Sequence, residues 1–288
     1  MLLTIHHVAA SGGSIVSQVL AAATNSVLIS EINPLGSIDR YRGLTPHYDP
    51  TSLVWHLVYN SEDLSPKLKL RYFFGQLDIS IEHVRGLSKN LLLRDHSHTT
   101  FNFLNKNLTF NKKKLDSIFL ESINYFYTQK SDTFDFPRIK PIISIRHPLD
   151  SYLASRKKGW LAAYCGEEIN LDNYCNGLLN FQNYMKNEAS AIILRYEDLC
   201  MNLETCLENL FLNLGIEYRI PSLEEINLIK VTGKSGRKSD GIEIRERIIS
   251  DIDDSLKTQV EKSKHYKKYC ELNGYDPNYK NFPIKNLI

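Results

Sequence analysis

The stretch that decides the fold lies near the amino end of the sequence: Thr4-Ile5-His6-His7-Val8-Ala9-Ala10-Ser11-Gly12-Gly13-Ser14-Ile15-Val16-Ser17. Its first residues suit a buried strand, its last residues suit a helix, and a glycine pair separates the two parts. Glycines permit a tight turn, and the amides at the start of a helix point at any anion that binds there. The stretch therefore predicts a loop that can cradle a phosphate.

Short apolar runs and helical patterns alternate along the rest of the chain. The runs that suit buried strands are 2–7, 26–30, 90–93, 139–145 and 191–194. The stretches with helical spacing between them are 14–23, 112–127, 171–186 and 203–214. This alternation predicts an α/β fold of three layers, with a central parallel sheet flanked by helices. In such a sheet, ligands bind beyond the carboxyl ends of the strands.

The chain has 288 residues, which we interpret as a single domain spanning 1–288. Segment 32–88 is predicted to be an embedded cap, because it is rich in proline, glycine and aromatic residues. Its aromatic side chains either fill that cap or line a cleft for an acceptor. Segment 244–288 is predicted to be a helical tail, whose lysines form a solvated face.

The composition excludes several classes of protein. A net charge of +2 and a pI near 8.1 are too mild for a protein that binds bulk nucleic acid or an anionic membrane surface. The 5 cysteines are odd in number and widely spaced, so they predict neither a disulfide framework nor a zinc site. The sequence shows no signal-peptide pattern and no apolar run of roughly 18 residues. We therefore expect a cytoplasmic protein without a membrane span and without a metal.

The glycine loop also lacks the tools of a nucleoside-triphosphate enzyme. Such an enzyme is expected to carry GxxxxGK[ST], in which the lysine and the hydroxyl hold the terminal phosphates and magnesium. Neither that lysine nor that spacing occurs here. The loop can bind a phosphate, but the usual metal-dependent phosphoryl transfer is not indicated.

Four segments resemble, in the same order, segments of the sulfotransferase family of P-loop enzymes. Residues 11–14 resemble its 5′-phosphosulfate loop, and 142–151 (IISIRHPLDS) resemble the strand and helix start that bind the 3′-phosphate. Residues 193–199 (ILRYEDL) and 233–240 (GKSGRKSD) resemble a strand-end motif and a glycine-basic loop that closes over the cofactor. The resemblance implies that 3′-phosphoadenosine-5′-phosphosulfate (PAPS) is the sulfuryl donor and 3′-phosphoadenosine-5′-phosphate (PAP) the product.

The same resemblance implies a set of residues that contact the cofactor: Ser11, Gly12, Gly13, Ser14, Ile15, Arg146, Ser151, Ser155, Tyr196, Lys234, Ser235, Gly236 and Arg237. Arg146, at the end of a strand, can form a forked contact to the 3′-phosphate, or it pairs with Asp150 at the surface. Two departures from the family's pattern stand out. Ala10 replaces a lysine that reaches the leaving group in many members, and Ala154 replaces a serine, for which Ser151 or Ser155 can substitute on the same helix face.

The general base is predicted at the end of the strand Leu91-Leu92-Leu93-Arg94-Asp95-His96-Ser97-His98. By resemblance His96 holds the position of the family's base, and a histidine suits proton abstraction near neutral pH. Asp95 can orient its ring, and His98 is the reserve candidate. Glu31, at the end of another strand, is a rival base of the kind that some bacterial and glycan sulfotransferases use.

Two other functions stay open at this point. A P-loop kinase or nucleotide phosphotransferase shares the scaffold, and a catalytically inactive nucleotide-binding module would explain Ala10 and Ala154. The acceptor is predicted only as a hydroxyl, either on a carbohydrate (a glycan) or on a small molecule. The sequence predicts no oligomeric state.

Overall fold

The computed structural model describes residues 1–32, 66–95, 97, 118–130, 134–157, 159, 161, 169–231 and 252–278. The strands in these ranges are β1 Leu2–His7, β2 Ser26–Ile32, β3 Asn90–Asp95, β4 Ile142–Ile145 and β5 Ile192–Arg195. The helices are α1 Gly13–Ala23, α2 Pro66–Gly86, α3 Ile118–Thr128, α4 Pro148–Lys157, α5 Leu171–Ala189, α6 Tyr196–Met201, α7 Leu203–Leu214, α8 Leu223–Leu228, α9 Asp254–Lys262 and α10 Lys264–Leu272.

The strands form one parallel sheet in the order β2-β3-β1-β4-β5. β1 lies in the middle, where Leu3 pairs with Leu92 of β3 and Ile5 pairs with Ile142 of β4. The loop that follows β1 therefore leaves the sheet between the carboxyl ends of β3 and β4. The predicted α/β fold with a central parallel sheet flanked by helices is confirmed.

Both faces of the sheet are covered by helices, because alternate residues of each strand point to opposite faces. On one face, Leu3 and Ile5 of β1 pack with apolar residues of α1, α7 and α8. On the other face, Leu2 and the β3 residues Leu91 and Leu93 pack with α2 and α3. The β4 residues on that same face pack with α4, α5, α9 and α10. Each fully buried leucine or isoleucine contributes about 1.5–3 kcal/mol of hydrophobic free energy.

The element boundaries differ from the sequence prediction where backbone chemistry intervenes. β4 begins at Ile142 rather than at 139, because Pro141 has no N–H to donate to a neighbouring strand. β2 continues to Ile32, past an irregularity in its pairing between Ile29 and Ile32. α7 matches the prediction, since the side chain of Asn202 accepts from the N–H of Thr205 at its start and Gly215 ends it.

The cap and the tail are described only in part. Residues 33–65 lie outside the described ranges, and α2 follows them as a helix whose Leu77, Ile81 and Val84 are buried against the sheet. In the tail, 244–251 and 279–288 lie outside the described ranges. Between them, Tyr266, Tyr269 and Cys270 are buried in the same cluster as residues of α5. Among the described helices, none is long and apolar enough to cross a lipid bilayer.

Candidate functional site

The loop predicted to bind phosphate, called the phosphate loop below, is residues 8–12 and turns tightly between β1 and α1. The backbone N–H and the hydroxyl of Ser11 both donate to the carbonyl oxygen of Val8, over 3.2 Å and 2.7 Å. Ala10 and Gly12 have left-handed backbones, with φ of 66° and 82°. Glycine adopts that conformation freely, whereas an alanine there is strained by contact between its Cβ and its own backbone. The loop is therefore held in a shape that its sequence only partly favours.

Both glycines of the pair are required by close packing. A Cβ on Gly12 would lie 2.3 Å from the Tyr196 ring, and a Cβ on Gly13 would lie 2.3 Å from the His7 ring. The His7 ring is itself fixed, because its Nδ1 lies 3.0 Å from the carbonyl oxygen of Val8. The space beside the Gly12 and Gly13 α-carbons is thus filled by the Tyr196 and His7 rings, which fixes the course of the loop backbone.

The start of α1 offers backbone donors beside this loop. Gly12 is the N-cap of α1, and the first bond within the helix runs from the N–H of Val16 to the carbonyl of Gly12. The N–H groups of Gly13, Ser14 and Ile15 consequently have no acceptor inside the helix. Together with the positive end of the helix dipole, these three amides suit a phosphate.

A buried cation reaches this same point from β3. Arg94 is 1% exposed, and its Nη1 donates to the hydroxyl of Ser14 over 2.6 Å. Arg94 is not among the site residues predicted from the sequence. The signal that could have indicated it is an arginine directly after three leucines in a strand of the buried type. Arg94 therefore places a buried positive charge at the start of α1.

Arg146 and Tyr196 meet above the phosphate loop. The Arg146 guanidinium lies 5.1 Å from the centre of the Tyr196 ring, in a cation–π arrangement. Its Nη1 lies 3.4 Å from the carbonyl oxygen of Ala10. Tyr196 also packs against Gly12, so one ring contacts both the loop and the arginine. The ends of β4 and β5 therefore bring two predicted site residues to the loop that follows β1.

Ser151 and Ser155 lie on α4 behind Arg146, and both are buried. The Ser151 hydroxyl donates to the carbonyl oxygen of Pro148 over 3.1 Å and accepts from the Tyr174 hydroxyl over 3.0 Å. Burial raises the pKa of Tyr174, so that hydroxyl stays a donor. The Ser155 hydroxyl lies 3.4 Å from the carbonyl oxygen of Ala9. A contact of Ser151 with a phosphate would require its hydroxyl to turn away from Pro148.

Asp95 closes β3 in a fully buried hydrogen-bond network. Its Oδ2 lies 2.9 Å from Nδ1 of His6 and accepts from the Ser97 hydroxyl over 2.7 Å. The His6 ring is thereby bonded to Asp95 on the neighbouring strand. Ser97 in turn accepts from the backbone N–H of His7 over 3.1 Å. This network ties the carboxyl ends of β1 and β3 together.

The two first candidates for the base belong to neighbouring strands, since Glu31 lies in β2 and His96 directly follows β3 in the sequence. Glu31 lies in β2 one residue before its end, and Ile32 pairs with Asp95 of β3. His96 and His98 lie outside the described residues, as do Lys234, Ser235, Gly236 and Arg237 of the glycine-basic loop. Their predicted roles stay predictions.

No protein-family model matches the sequence, and no curated protein matches it either. Among solved structures, the chain is similar to the sulfotransferase domain of the olefin synthase from Synechococcus PCC 7002. The similarity covers 96% of this chain and 95% of that one, with a TM-score of 0.47 and 16% sequence identity. A likeness at this level assigns neither an activity nor a substrate to this chain.

Proposed function

We propose that this chain is a sulfotransferase that takes a sulfuryl group from PAPS and passes it to a hydroxyl acceptor. The observation that carries the proposal is that Tyr196 contacts both Gly12 of the phosphate loop and the Arg146 guanidinium. The phosphate loop suits a 5′-phosphate, and the Arg146 guanidinium suits a second phosphate close by. PAPS carries phosphates at both positions, whereas ATP has none on its 3′-hydroxyl.

The loop side of the site fits a 5′-phosphosulfate. The amides of Gly13, Ser14 and Ile15 have no acceptor inside α1, and we propose that they bind the 5′-phosphate. Arg94 adds a buried positive charge that is already bonded to Ser14. When PAPS is bound, the breaking sulfur–oxygen bond leaves negative charge on the 5′-phosphate, and these donors stabilise it.

The other side of the site fits the adenosine 3′-phosphate. We assign Arg146 to that phosphate, because a guanidinium forms forked, charge-assisted bonds to phosphate oxygens. The Tyr196 ring contacts the Arg146 guanidinium, and we assign the same ring to packing near the adenine. Ser151 and Ser155 lie on the helix behind Arg146 and complete this part of the proposal. Lys234, Ser235, Gly236 and Arg237 are proposed to close over the cofactor.

The chemical step needs a base and no metal. The acceptor oxygen attacks sulfur in line with the bridging oxygen, the acceptor loses its proton, and PAP leaves. His96 is our first choice for the group that takes the proton, and Glu31 is the alternative. Both are assigned to the carboxyl edge of the sheet, where the network of Asp95 fixes the end of β3. The acceptor class that we propose is a hydroxyl on a glycan or a small molecule.

Thermal unfolding in the presence of nucleotides tests the proposal. Equal concentrations of PAP, ADP and ATP are added, and the shift in melting temperature is measured for each. A ligand at 100 times its dissociation constant adds about 2.7 kcal/mol of stability. We expect PAP to stabilise the protein most, and an equal or larger effect of ATP would overturn the assignment.

Arg146→Ala tests the part of the site that distinguishes PAP from ADP. Losing a charge-assisted contact of about 1.5–3 kcal/mol predicts a roughly 10- to 150-fold weaker affinity for PAP, with little change for ADP. The matched control is Arg156→Ala, since Arg156 lies in the last turn of α4, the helix that begins two residues after Arg146. Its side chain is half exposed, and its Nη1 lies 3.5 Å from Oδ2 of Asp253. An equal loss for PAP and ADP would contradict the role given to Arg146.

A further inference from the structure

A buried carboxylate joins the segment after β4 to residues 273–276, the turn that follows α10 and is called the carboxyl-terminal turn below. Glu197 is 1% exposed, and its two oxygens accept from different parts of the chain. Oε1 accepts from the backbone N–H of His147 over 2.8 Å, and Oε2 accepts from the Tyr275 hydroxyl over 2.8 Å. One side chain therefore connects α6, the start of α4 and the turn that follows α10.

The position of this carboxylate in the sequence links it to the proposed 3′-phosphate site. Glu197 directly follows Tyr196, and His147 directly follows Arg146. A bond between Glu197 and the His147 peptide fixes the two backbones that carry the Tyr196 ring and the Arg146 guanidinium. The pairing of Ile145 with Arg195 already joins the ends of β4 and β5, and the bond from the His147 N–H to Glu197 adds a second tie just beyond Arg146 and Tyr196.

The carboxyl-terminal turn supports the same peptide from the other side. The His147 ring is 1% exposed and packs edge-on against Tyr275, with ring centres 5.3 Å apart. Its Nε2 lies 3.3 Å from the carbonyl oxygen of Asp276. The turn therefore holds both the side chain of His147 and, through Glu197, its backbone N–H.

Burying a carboxylate to accept two hydrogen bonds costs free energy, since an ionised group loses its hydration on burial. A neutral side chain at this position would avoid that cost. The nearby charge of Arg146 offsets only part of the desolvation of Glu197. The Glu197 carboxyl group also holds both partners at once, because its two oxygens accept from different parts of the chain. This argues that the place of the His147 peptide matters to the protein.

We propose that Glu197 is a positioning residue that sets the selectivity for a 3′-phosphorylated nucleotide, by holding Arg146 through the His147 peptide. Tyr275 completes this clamp by fixing the second oxygen of Glu197. The inference rests on the proposed function, since it concerns the same nucleotide site. It adds a residue that does not touch the ligand, and it gives the carboxyl-terminal turn a part in recognition.

Calorimetric titration with PAP and with ADP tests the clamp. The measured quantity is the ratio of the two affinities, because ADP shares the 5′ side of the site but lacks the 3′-phosphate. Glu197→Ala is expected to lower this ratio at least about tenfold, which corresponds to a loss of about 1.4 kcal/mol of selectivity. Glu197→Gln keeps an oxygen for the His147 N–H, and we expect it to retain the ratio within about threefold.

Tyr275→Phe provides a second variant in case Glu197→Ala does not fold. It removes one hydroxyl and leaves the ring, and the ratio is expected to fall severalfold, less than in Glu197→Ala. Glu208→Ala, on the exposed face of α7, is the control and should keep the wild-type ratio. An unchanged ratio in both Glu197→Ala and Tyr275→Phe would overturn the inference. If Glu197→Ala is unfolded, an unchanged ratio in Tyr275→Phe is enough to overturn it.

The wild-type protein separates the two possible failures. If the wild-type protein binds PAP no better than ADP, the proposed function fails, and the clamp has no selectivity to set. If the wild-type protein prefers PAP and the variants keep that preference, the inference fails while the proposed function stands.

Discussion

Arg94 and Ser14 are joined by a hydrogen bond of 2.6 Å, from the guanidinium Nη1 to the hydroxyl oxygen. The bond places a buried positive charge beside the first turn of α1, where the helix dipole is also positive. A charged donor and the amino end of a helix therefore lie together at this point, and a phosphate can accept from both.

Arg94→Met is expected to weaken the binding of PAP and ADP alike, because both carry a phosphate on the 5′ side. The loss of one charge-assisted contact predicts about a 10- to 150-fold lower affinity for each nucleotide. Arg94→Lys keeps the charge and should lose less. Calorimetric titration measures both affinities, and a loss confined to PAP would place Arg94 on the 3′ side instead.

Ala10→Lys is expected to strengthen PAP binding about 3- to 10-fold, since it places a cation beside the loop. The backbone at Ala10 already tolerates a Cβ at φ 66°, so the longer side chain adds no new backbone strain. Ala10→Gln, which is long but neutral, serves as the control and should leave the affinity unchanged. Titration with PAP decides the matter, and an equal gain in both variants would show that charge is not the cause.

Gly12→Ala is expected to destabilise the fold by about 2–5 kcal/mol, through overpacking and a strained left-handed backbone. Its Cβ would lie 2.3 Å from the Tyr196 ring, at a φ of +82°. Gly75→Ala in α2 is the control, because a Cβ there meets nothing within 4 Å. That variant should gain about 0.5–1 kcal/mol, as alanine is favoured over glycine inside a helix. Urea unfolding measures both, and similar values for the two would refute the packing argument.

The sequence was sufficient for the parts of the site that follow one strand each. A strand, a glycine pair and a helix are adjacent in the chain, so the phosphate loop was predictable from local pattern. Arg146 and Tyr196 each follow a buried run, and parallel strands bring their carboxyl ends to one edge. Their contact with the loop follows from that rule.

The contacts that depend on strand order and register were not predictable in the same way. Arg94 and Ser14 are 80 residues apart in the sequence, and they meet only because β3 lies beside β1. His6 and Asp95 are 89 residues apart, and their bond depends on the same pairing. A local pattern carries no information on which strands are neighbours, so these partners emerged only from the fold.

The identity of the base is tested with water as the acceptor, by following the slow hydrolysis of PAPS to PAP. Removing a general base typically lowers a rate about 10²- to 10⁴-fold. We expect His96→Ala to show this loss with nearly normal PAP affinity, and His98→Ala to keep most of the rate. A normal rate in His96→Ala together with a loss in Glu31→Gln would move the role to Glu31.

Glu197 also predicts how the stability of the fold depends on pH. Burial raises the pKa of Glu197 above its ordinary value of 4.5, although the His147 N–H and the charge of Arg146 act to lower it. The folded protein therefore holds this proton at pH values where the unfolded chain has lost it, so the contribution of Glu197 to stability falls as pH rises above 4.5. Above the folded-state pKa, the full unfavourable effect is present.

Glu197→Gln cannot titrate, so its free energy of unfolding relative to wild type is expected to rise with pH across that window and then level off. Urea unfolding of both proteins at a series of pH values from about 4 to 8 measures the difference. Glu208→Gln, on the exposed face of α7, is the control for exchanging a glutamate for a glutamine without disturbing a buried contact. The slope is the decisive quantity, because a lost hydrogen bond shifts the Glu197→Gln curve by a constant amount. A difference that stays flat or falls with rising pH would show that the Glu197 carboxyl is not held at a raised pKa in the folded protein.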